Sequence, residues 1–294
     1  MPPLGRRETR NLLSRHGLSP RVSLGQHFLV DPNTIRKIVT AAAPRRGEQI
    51  LEIGAGLGSL TVGLVEAGAR VVAVEHDRGL TSALGEVLAG HDVKLAWGDA
   101  MKLDYRRLLE RRPTRVVSNL PYNIATPLVL RLLQEQSEVS ELIVMIQREV
   151  GERLAAKPGS DPYGAVSAKV AYLAEAQVLF SVSRRVFLPE PDVDSVVVGL
   201  RRRARAPVSG QRDRIFGVIE AGFATRRKTI RNALKGAGIA AERVEEALAT
   251  AGVGGGERAE RLGLEEFASI ARVLRVPGRS GSDRARSGRA GSSR

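Results

Sequence analysis

Along the first two hundred positions, apolar residues gather into short runs that stop at glycine or polar clusters, and between those runs they recur at helical spacing. Residues 32–43 place Ile35, Ile38, Val39 and Ala42 on one face behind Pro32, which predicts a helix. The run Gln49-Ile50-Leu51-Glu52-Ile53 reads as a strand and stops at Gly54-Ala55-Gly56-Leu57-Gly58, with a helix predicted from about Leu60 to Ala67. Strands follow at Arg70 to Glu75, 93–97, 115–118 and 141–146, with helices at 126–136 and 148–156. Strands alternating with helices predict a mostly parallel sheet wound on both faces, because parallel crossovers place helices against it. Two late strands, about 176–182 and 194–200, suit an antiparallel hairpin at its edge and bring the sheet to seven strands.

The period changes near position 201. Arg201-Arg202-Arg203-Ala204-Arg205-Ala206-Pro207 reads as a basic linker, and beyond it the spacing is helical over 210–223, 226–237, 241–251 and 264–274. The predicted organisation is an α/β domain at 23–203 and a small all-helical domain at 204–276. Residues 1–22, with Arg6, Arg7, Arg10, Arg15 and Arg21, read as a mobile basic arm or a short helix. Residues 277–294 are Gly, Ser and Arg with little apolar content, which predicts a disordered basic tail.

A length of 294 residues agrees with two domains at ~150 residues each. Cysteine is absent, which excludes disulfides, thiolate zinc sites and cysteine nucleophiles. His16, His27, His76 and His91 are scattered without metal-ligand spacing, so no metal is expected. No apolar run approaches the ~20 residues that span a bilayer, and no apolar stretch follows the N-terminal charges. A cytoplasmic monomer without a membrane partner is the expectation. The net charge of +14 is uneven: 25 basic and 22 acidic residues up to position 200, 16 and 9 over 201–276, and 5 and 1 over 277–294. A polyanion bound largely from the C-terminal side is the physical expectation. The competing reading is an arginine-rich composition inherited from a high-GC genome.

Candidate chemistry lies at the ends of the predicted strands. The Gly54–Gly58 turn lets the backbone approach a ligand closely at a helix N-terminus. Glu75 ends the next strand, 21 residues after Gly54, where a carboxylate can accept from both ribose hydroxyls of an adenosine cofactor. Asp99, in Gly98-Asp99-Ala100, follows the third strand and can accept from an adenine amine. A nicotinamide dehydrogenase would space its glycines G-x-G-x-x-G around a pyrophosphate; here Ser59 stands at the third glycine's place. That favours S-adenosylmethionine, leaving S-adenosylhomocysteine as product.

Ser118-Asn119-Leu120-Pro121-Tyr122-Asn123 ends the fourth strand. The exocyclic amine of adenine is a poor nucleophile, because its lone pair is delocalised into the ring. Acceptors that localise and aim that lone pair are the catalytic need. Asn119 can supply a side-chain oxygen, Pro121 a main-chain carbonyl, and Tyr122 a ring to stack on the base. A second loop, Phe187 to Ser195, carries Pro189 and Pro191; Phe187 either closes over the other face of the base or anchors the edge hairpin in the core.

Together these residues resemble the ribosomal RNA adenine dimethylases, most closely the bacterial 16S ribosomal RNA dimethyladenosine transferases. The resemblance runs from about Leu24 to Leu274 and includes Leu24–Leu29, Glu52–Thr61, Asn119–Ile124, Phe187–Ser195 and Phe223–Asn232. It implies a Rossmann-like methyltransferase sheet and dimethylation of two adjacent adenines near the 3′ end of 16S rRNA in the assembling small ribosomal subunit. It also implies cofactor roles for His27, Leu29, Gly54, Glu75, Asp99 and Asn119. His27 stands where the family more often has Asn; a neutral His can still donate to the cofactor's carboxylate. Phe223-Ala-Thr-Arg226-Arg227-Lys228 reads as a helix start with a dense cationic face, which with Arg231 implies RNA binding. The nearest rival is a resistance methylase acting on an adenine of 23S rRNA; Leu120, where such enzymes usually carry Ile, and the Phe223–Asn232 pattern count against it. Another class, a non-catalytic assembly or transcription factor on the same fold, would predict decay of Asn119 or of the glycine turn, and both are intact.

Overall fold

Strands and helices alternate through the computed structural model in the order the apolar runs predict. It describes residues 3–109, 114–225 and 227–276. The elements are α1 (Arg6–Arg15), β1 (Phe28–Leu29), α2 (Pro32–Ala42), β2 (Gln49–Ile53), α3 (Ser59–Glu66), β3 (Arg70–Glu75), α4 (Thr81–Leu88), β4 (Val93–Trp97), α5 (Tyr105–Leu108), β5 (Thr114–Asn119), α6 (Ala125–Glu135), β6 (Val139–Gln147), α7 (Arg148–Ala155), α8 (Ala165–Leu173), β7 (Ala174–Val182), β8 (Phe187–Leu188) and β9 (Ser195–Arg202). Helices α9 (Arg212–Phe223), α10 (Ile230–Gly236), α11 (Ala241–Ala251) and α12 (Leu264–Val273) follow. The chain separates into two compact units, 1–207 and 208–294.

The first unit is built on a seven-stranded sheet in the order β4-β3-β2-β5-β6-β9-β7. Strands β4 through β6 pair in parallel, and β9 runs antiparallel between β6 and β7. Strand β2 is buried along its whole length, with β3 and β5 paired on its two edges. From β2 the chain steps outward to β3 and β4, then returns to β5 on the other side. The carboxyl ends of β2 and β5 therefore flank a topological switch point, where a doubly wound sheet opens a crevice.

Several features sharpen or depart from the expectations. The N-terminal segment takes the short-helix alternative, and Leu12 and Leu13 of that helix lie in the core, with Leu4 buried ahead of them. Its Arg6 guanidinium caps the Arg185 and Phe187 carbonyls. Strands β1 and β8 form a separate antiparallel ribbon with Leu29 opposite Phe187. Each is only two residues long, too short for a period to show in the sequence. Helices α4, α5 and α8 have no counterpart among the predicted elements; α8 is apolar nearly all round and shows no amphipathic stripe.

In the second unit Ile215, Val218, Ile219, Ile230, Leu234, Val244, Leu248, Phe267 and Ile270 form a buried helical core. The expected helix at 226–237 begins instead at Ile230. Thr229 caps it, its hydroxyl accepting from the Asn232 N–H at 3.4 Å. Arg227 and Lys228 thus do not lie on a helical face but are exposed in the turn between α9 and α10. Arg226 and the tail at 277–294 fall outside the described residues.

Candidate active site

The crevice at the switch point is lined by residues from every strand end the sequence singled out. Gly54, Glu75, Asp99, Asn119, Pro121 and Tyr122 all border it, together with His27 and Leu29 from the segment that leads into β1. Gly54 joins the two halves of the site. Its φ is +84°, and a Cβ there would stand 3.2 Å from Pro121 Cδ and 3.5 Å from the Asn119 carbonyl oxygen. A side chain would strain the turn and push the two loops apart.

Glu75 is held before any ligand arrives. One carboxylate oxygen accepts from the Gly56 N–H, the other from the His76 and Asp77 N–H groups, each at 2.8 Å. Backbone donors thereby occupy three of its roughly four acceptor sites. Oε2, with one backbone donor, keeps acceptor capacity toward the crevice. Asp99 accepts from the Met101 N–H at 2.8 Å and pairs with Lys102 at 3.4 Å. The Met101 N–H foremost, with Lys102 assisting, holds its carboxyl below the ordinary carboxylate range, so it is an ionised acceptor at neutral pH.

Asn119 has the least satisfied side chain at the crevice's β5 end. Its amide faces the His27 carbonyl at 3.3 Å, and since a carbonyl only accepts, the amide nitrogen must point there. Oδ1 is then turned away, buried and without a hydrogen-bond partner. An unsatisfied buried acceptor costs ~1–3 kcal/mol, which a ligand N–H would recover. The Pro121 carbonyl already accepts from the Ile124 N–H at 3.2 Å, keeping one lone pair for an amine. Burial raises the Tyr122 hydroxyl above its ordinary value, against the opposing hydrogen bond from Ser195, so the ring stays neutral.

Two residues are placed by partners far along the chain. His27 Nδ1 lies 2.9 Å from the Pro189 carbonyl and must donate to it, which leaves Nε2 as the ring nitrogen not engaged by that carbonyl. Phe187 is fully buried within the main core cluster, as an anchor of the β1–β8 ribbon; it presents no face to a base. Arg231 also differs from the exposed cations near it, pairing with Glu245 at 2.9 Å.

Two acids at the crevice carried no assigned role in the sequence. Asp77, nearly buried, accepts from Arg21 at 3.1 Å and from Gln26 at 2.7 Å, tying the segment before β1 to the end of β3. Glu52 is buried in β2, with Oε2 lacking a partner. Burial pushes its carboxyl up to about 8; the Thr61 hydroxyl opposes this and the Glu75 charge adds to it. Below about pH 4.5 the folded and unfolded chains both carry it neutral. As pH rises toward 8 the unfolded chain ionises it and the folded chain does not, so wild-type stability declines over that window. Glu52→Gln cannot ionise. Its stability relative to wild type should therefore climb between pH 4.5 and 8, by on the order of a few kcal/mol, in melts recorded across that range. A difference that stays flat with pH would show Glu52 ionised in the folded protein.

Fold and site together define an S-adenosylmethionine-dependent methyltransferase: a doubly wound sheet, a glycine turn after β2, acids after β3 and β4, and an Asn-Leu-Pro-Tyr loop after β5. Residues 17–275 match the family described as ribosomal RNA adenine dimethylase, and the chain belongs to that family. A relative from Moorella thermoacetica, named ribosomal RNA small subunit methyltransferase A, is 47% identical over 277 residues, covering 90% of this chain and 96% of its own length. One of the same name from Thermobifida fusca is 42% identical, covering 90% and 93%. Among solved structures, the 23S rRNA methyltransferase ErmE superposes with a TM-score of 0.66 at 29% identity, over 84% of this chain and 99% of that one. A dimethyladenosine transferase from Plasmodium falciparum shares the fold, with a TM-score of 0.70 at 24% identity over 83% and 96%.

No helix among the described residues is long and apolar enough to cross a membrane, and no group of three or more His, Asp or Glu side chains among them could hold a metal.

Proposed function

We propose that this enzyme dimethylates the exocyclic amines of two adjacent adenines near the 3′ end of 16S rRNA, within the assembling small ribosomal subunit in the cytoplasm. The observation that carries the chemistry is the unpaired Asn119 Oδ1, its amide held by the contact with the His27 carbonyl. The names of the 47% and 42% identical relatives favour the small subunit over the large one.

The cofactor supplies an electrophilic methyl group on a sulfonium sulfur. Asn119 Oδ1 and the Pro121 carbonyl accept the two amine protons of the target adenine and localise its lone pair on nitrogen. Tyr122 stacks on the base and sets its plane, a contact worth roughly 1–3 kcal/mol. The nitrogen forms its bond to the methyl carbon as the carbon–sulfur bond breaks, and one amine proton leaves to water. Positioning supplies most of the acceleration. Gly54, Glu75, Asp99, Leu29 and the Nε2 of His27 hold S-adenosylmethionine; S-adenosylhomocysteine leaves. Arg227 and Lys228 contact phosphates, while Arg231 keeps a structural ion pair with Glu245.

The test is methylation with labelled S-adenosylmethionine, offering unmodified small-subunit particles and large-subunit RNA in parallel. Label is expected in the small subunit, as dimethyladenosine at two neighbouring positions. Incorporation into large-subunit RNA instead would overturn the assignment in favour of the resistance-methylase reading.

A further inference from the structure

The two methyl transfers to one amine place unequal demands on the site. In the first, two N–H groups can be aimed by two acceptors. After one methyl is added a single N–H remains, so hydrogen bonding orients the base less well and the stacked ring must supply more of the alignment. The rigidity of the Tyr122 ring therefore matters most in the second transfer.

That ring is braced from the loop between β8 and β9. Its hydroxyl lies 2.7 Å from Ser195 Oγ. Ser195 is fully buried and opens β9, paired with Gln147 of β6 on one side and Val182 of β7 on the other. One face of the Tyr122 ring is covered by His27, with centroids 5.5 Å apart and planes 24° from parallel. His27 is itself fixed by the Pro189 carbonyl of the same loop. A base that stacks on Tyr122 must therefore use the face opposite His27, at an angle that the Tyr122–Ser195 hydrogen bond sets.

We propose that Ser195 is a positioning residue for the second methyl transfer, fixing through the Tyr122 hydroxyl the plane on which the monomethylated adenine stacks. This rests on the reading of Tyr122 as the stacking ring. In that transfer the remaining lone pair on nitrogen forms the new carbon–nitrogen bond as the carbon–sulfur bond breaks, and the last amine proton leaves to water.

The experiment compares Ser195→Ala, Tyr122→Phe, the double variant and Tyr122→Ala on unmodified small-subunit particles. Mass spectrometry follows mono- and dimethyladenosine over time, and calorimetry follows S-adenosylhomocysteine binding. Ser195→Ala and Tyr122→Phe are each expected to slow the second transfer about tenfold and the first by less than threefold, so that monomethyladenosine accumulates, with cofactor affinity unchanged. The double variant should be no worse than either single one, because both remove the same hydrogen bond. Tyr122→Phe reports on that bond even if Ser195→Ala disturbs folding. Equal slowing of both transfers, wild-type kinetics in Tyr122→Phe, or multiplying losses in the double variant would each overturn the proposal. If Tyr122→Ala is itself harmless, the stacking reading fails with it; if Tyr122→Ala is severe while Tyr122→Phe is silent, only the role of Ser195 fails.

Discussion

Replacing Asn119 by alanine should lower methyl transfer by roughly 10²–10³-fold, the range seen when a single oriented polar contact to a transition state is removed. The reason lies in what the side chain lacks. Its amide nitrogen faces the His27 carbonyl, its oxygen has no partner, and the backbone beneath it is locked because Leu120 N–H donates to the Met145 carbonyl at 3.1 Å. An acceptor fixed in advance costs no reorganisation when the amine rehybridises. Alanine removes that acceptor and leaves Glu75, Asp99 and the glycine turn in place, so binding of S-adenosylhomocysteine should fall only partly in calorimetry. Turnover is read as labelled methyl incorporated into small-subunit particles under saturating cofactor. Near wild-type turnover in Asn119→Ala would show that the amine is oriented by main-chain carbonyls alone.

The parts of this site that were legible in the sequence are those that sit at strand ends. A strand followed by glycines, a strand ending in Glu75 and a strand ending in Asn119 are local patterns, and a parallel sheet brings such ends to one edge without further information. What the sequence withheld depends on partners far along the chain. Whether Phe187 faces a base or the core is decided by β1, about 160 residues earlier, because the ribbon pairs Leu29 with Phe187. The tautomer of His27 is set by the Pro189 carbonyl, and no residue type encodes a carbonyl's direction. Glu52 looked like one polar position in an apolar strand; only the pairing of β2 on both edges shows that its carboxyl is sealed from water.

Boundaries misled for a similar reason. The cations after Phe223 carry no helix-breaking residue, so the pattern ran on as one helix from 226. The break comes from Thr229, whose cap starts α10 afresh, and from the burial of Ile230, whose N–H donates to the Glu257 carbonyl at 2.7 Å. The consequence is functional. A turn presents Arg227 and Lys228 as two separate exposed charges suited to phosphates, whereas a helix would have placed them on a stripe with Arg231.

Phe187→Ala should cost about 3–5 kcal/mol of stability, since a fully buried aromatic ring leaves a cavity that its neighbours fill only in part. For a chain of this size that is a fall in Tm on the order of 10 °C. Phe187→Leu keeps most of the buried volume and should recover most of that loss, within ~1.5 kcal/mol of wild type. The pair of variants separates the two roles that the sequence left open. A core anchor needs volume, so Phe187→Leu should methylate small-subunit particles at close to the wild-type rate when assayed well below its melting temperature. A ring that closes over the target base needs a π-face, which leucine lacks, and would leave Phe187→Leu folded but slow. The structure puts the ring in the core beside the β1–β8 ribbon, with Arg6 bound to its carbonyl at 3.0 Å. Thermal melts and initial rates on the same preparations decide the matter, and a stable but inactive Phe187→Leu would return Phe187 to the substrate site.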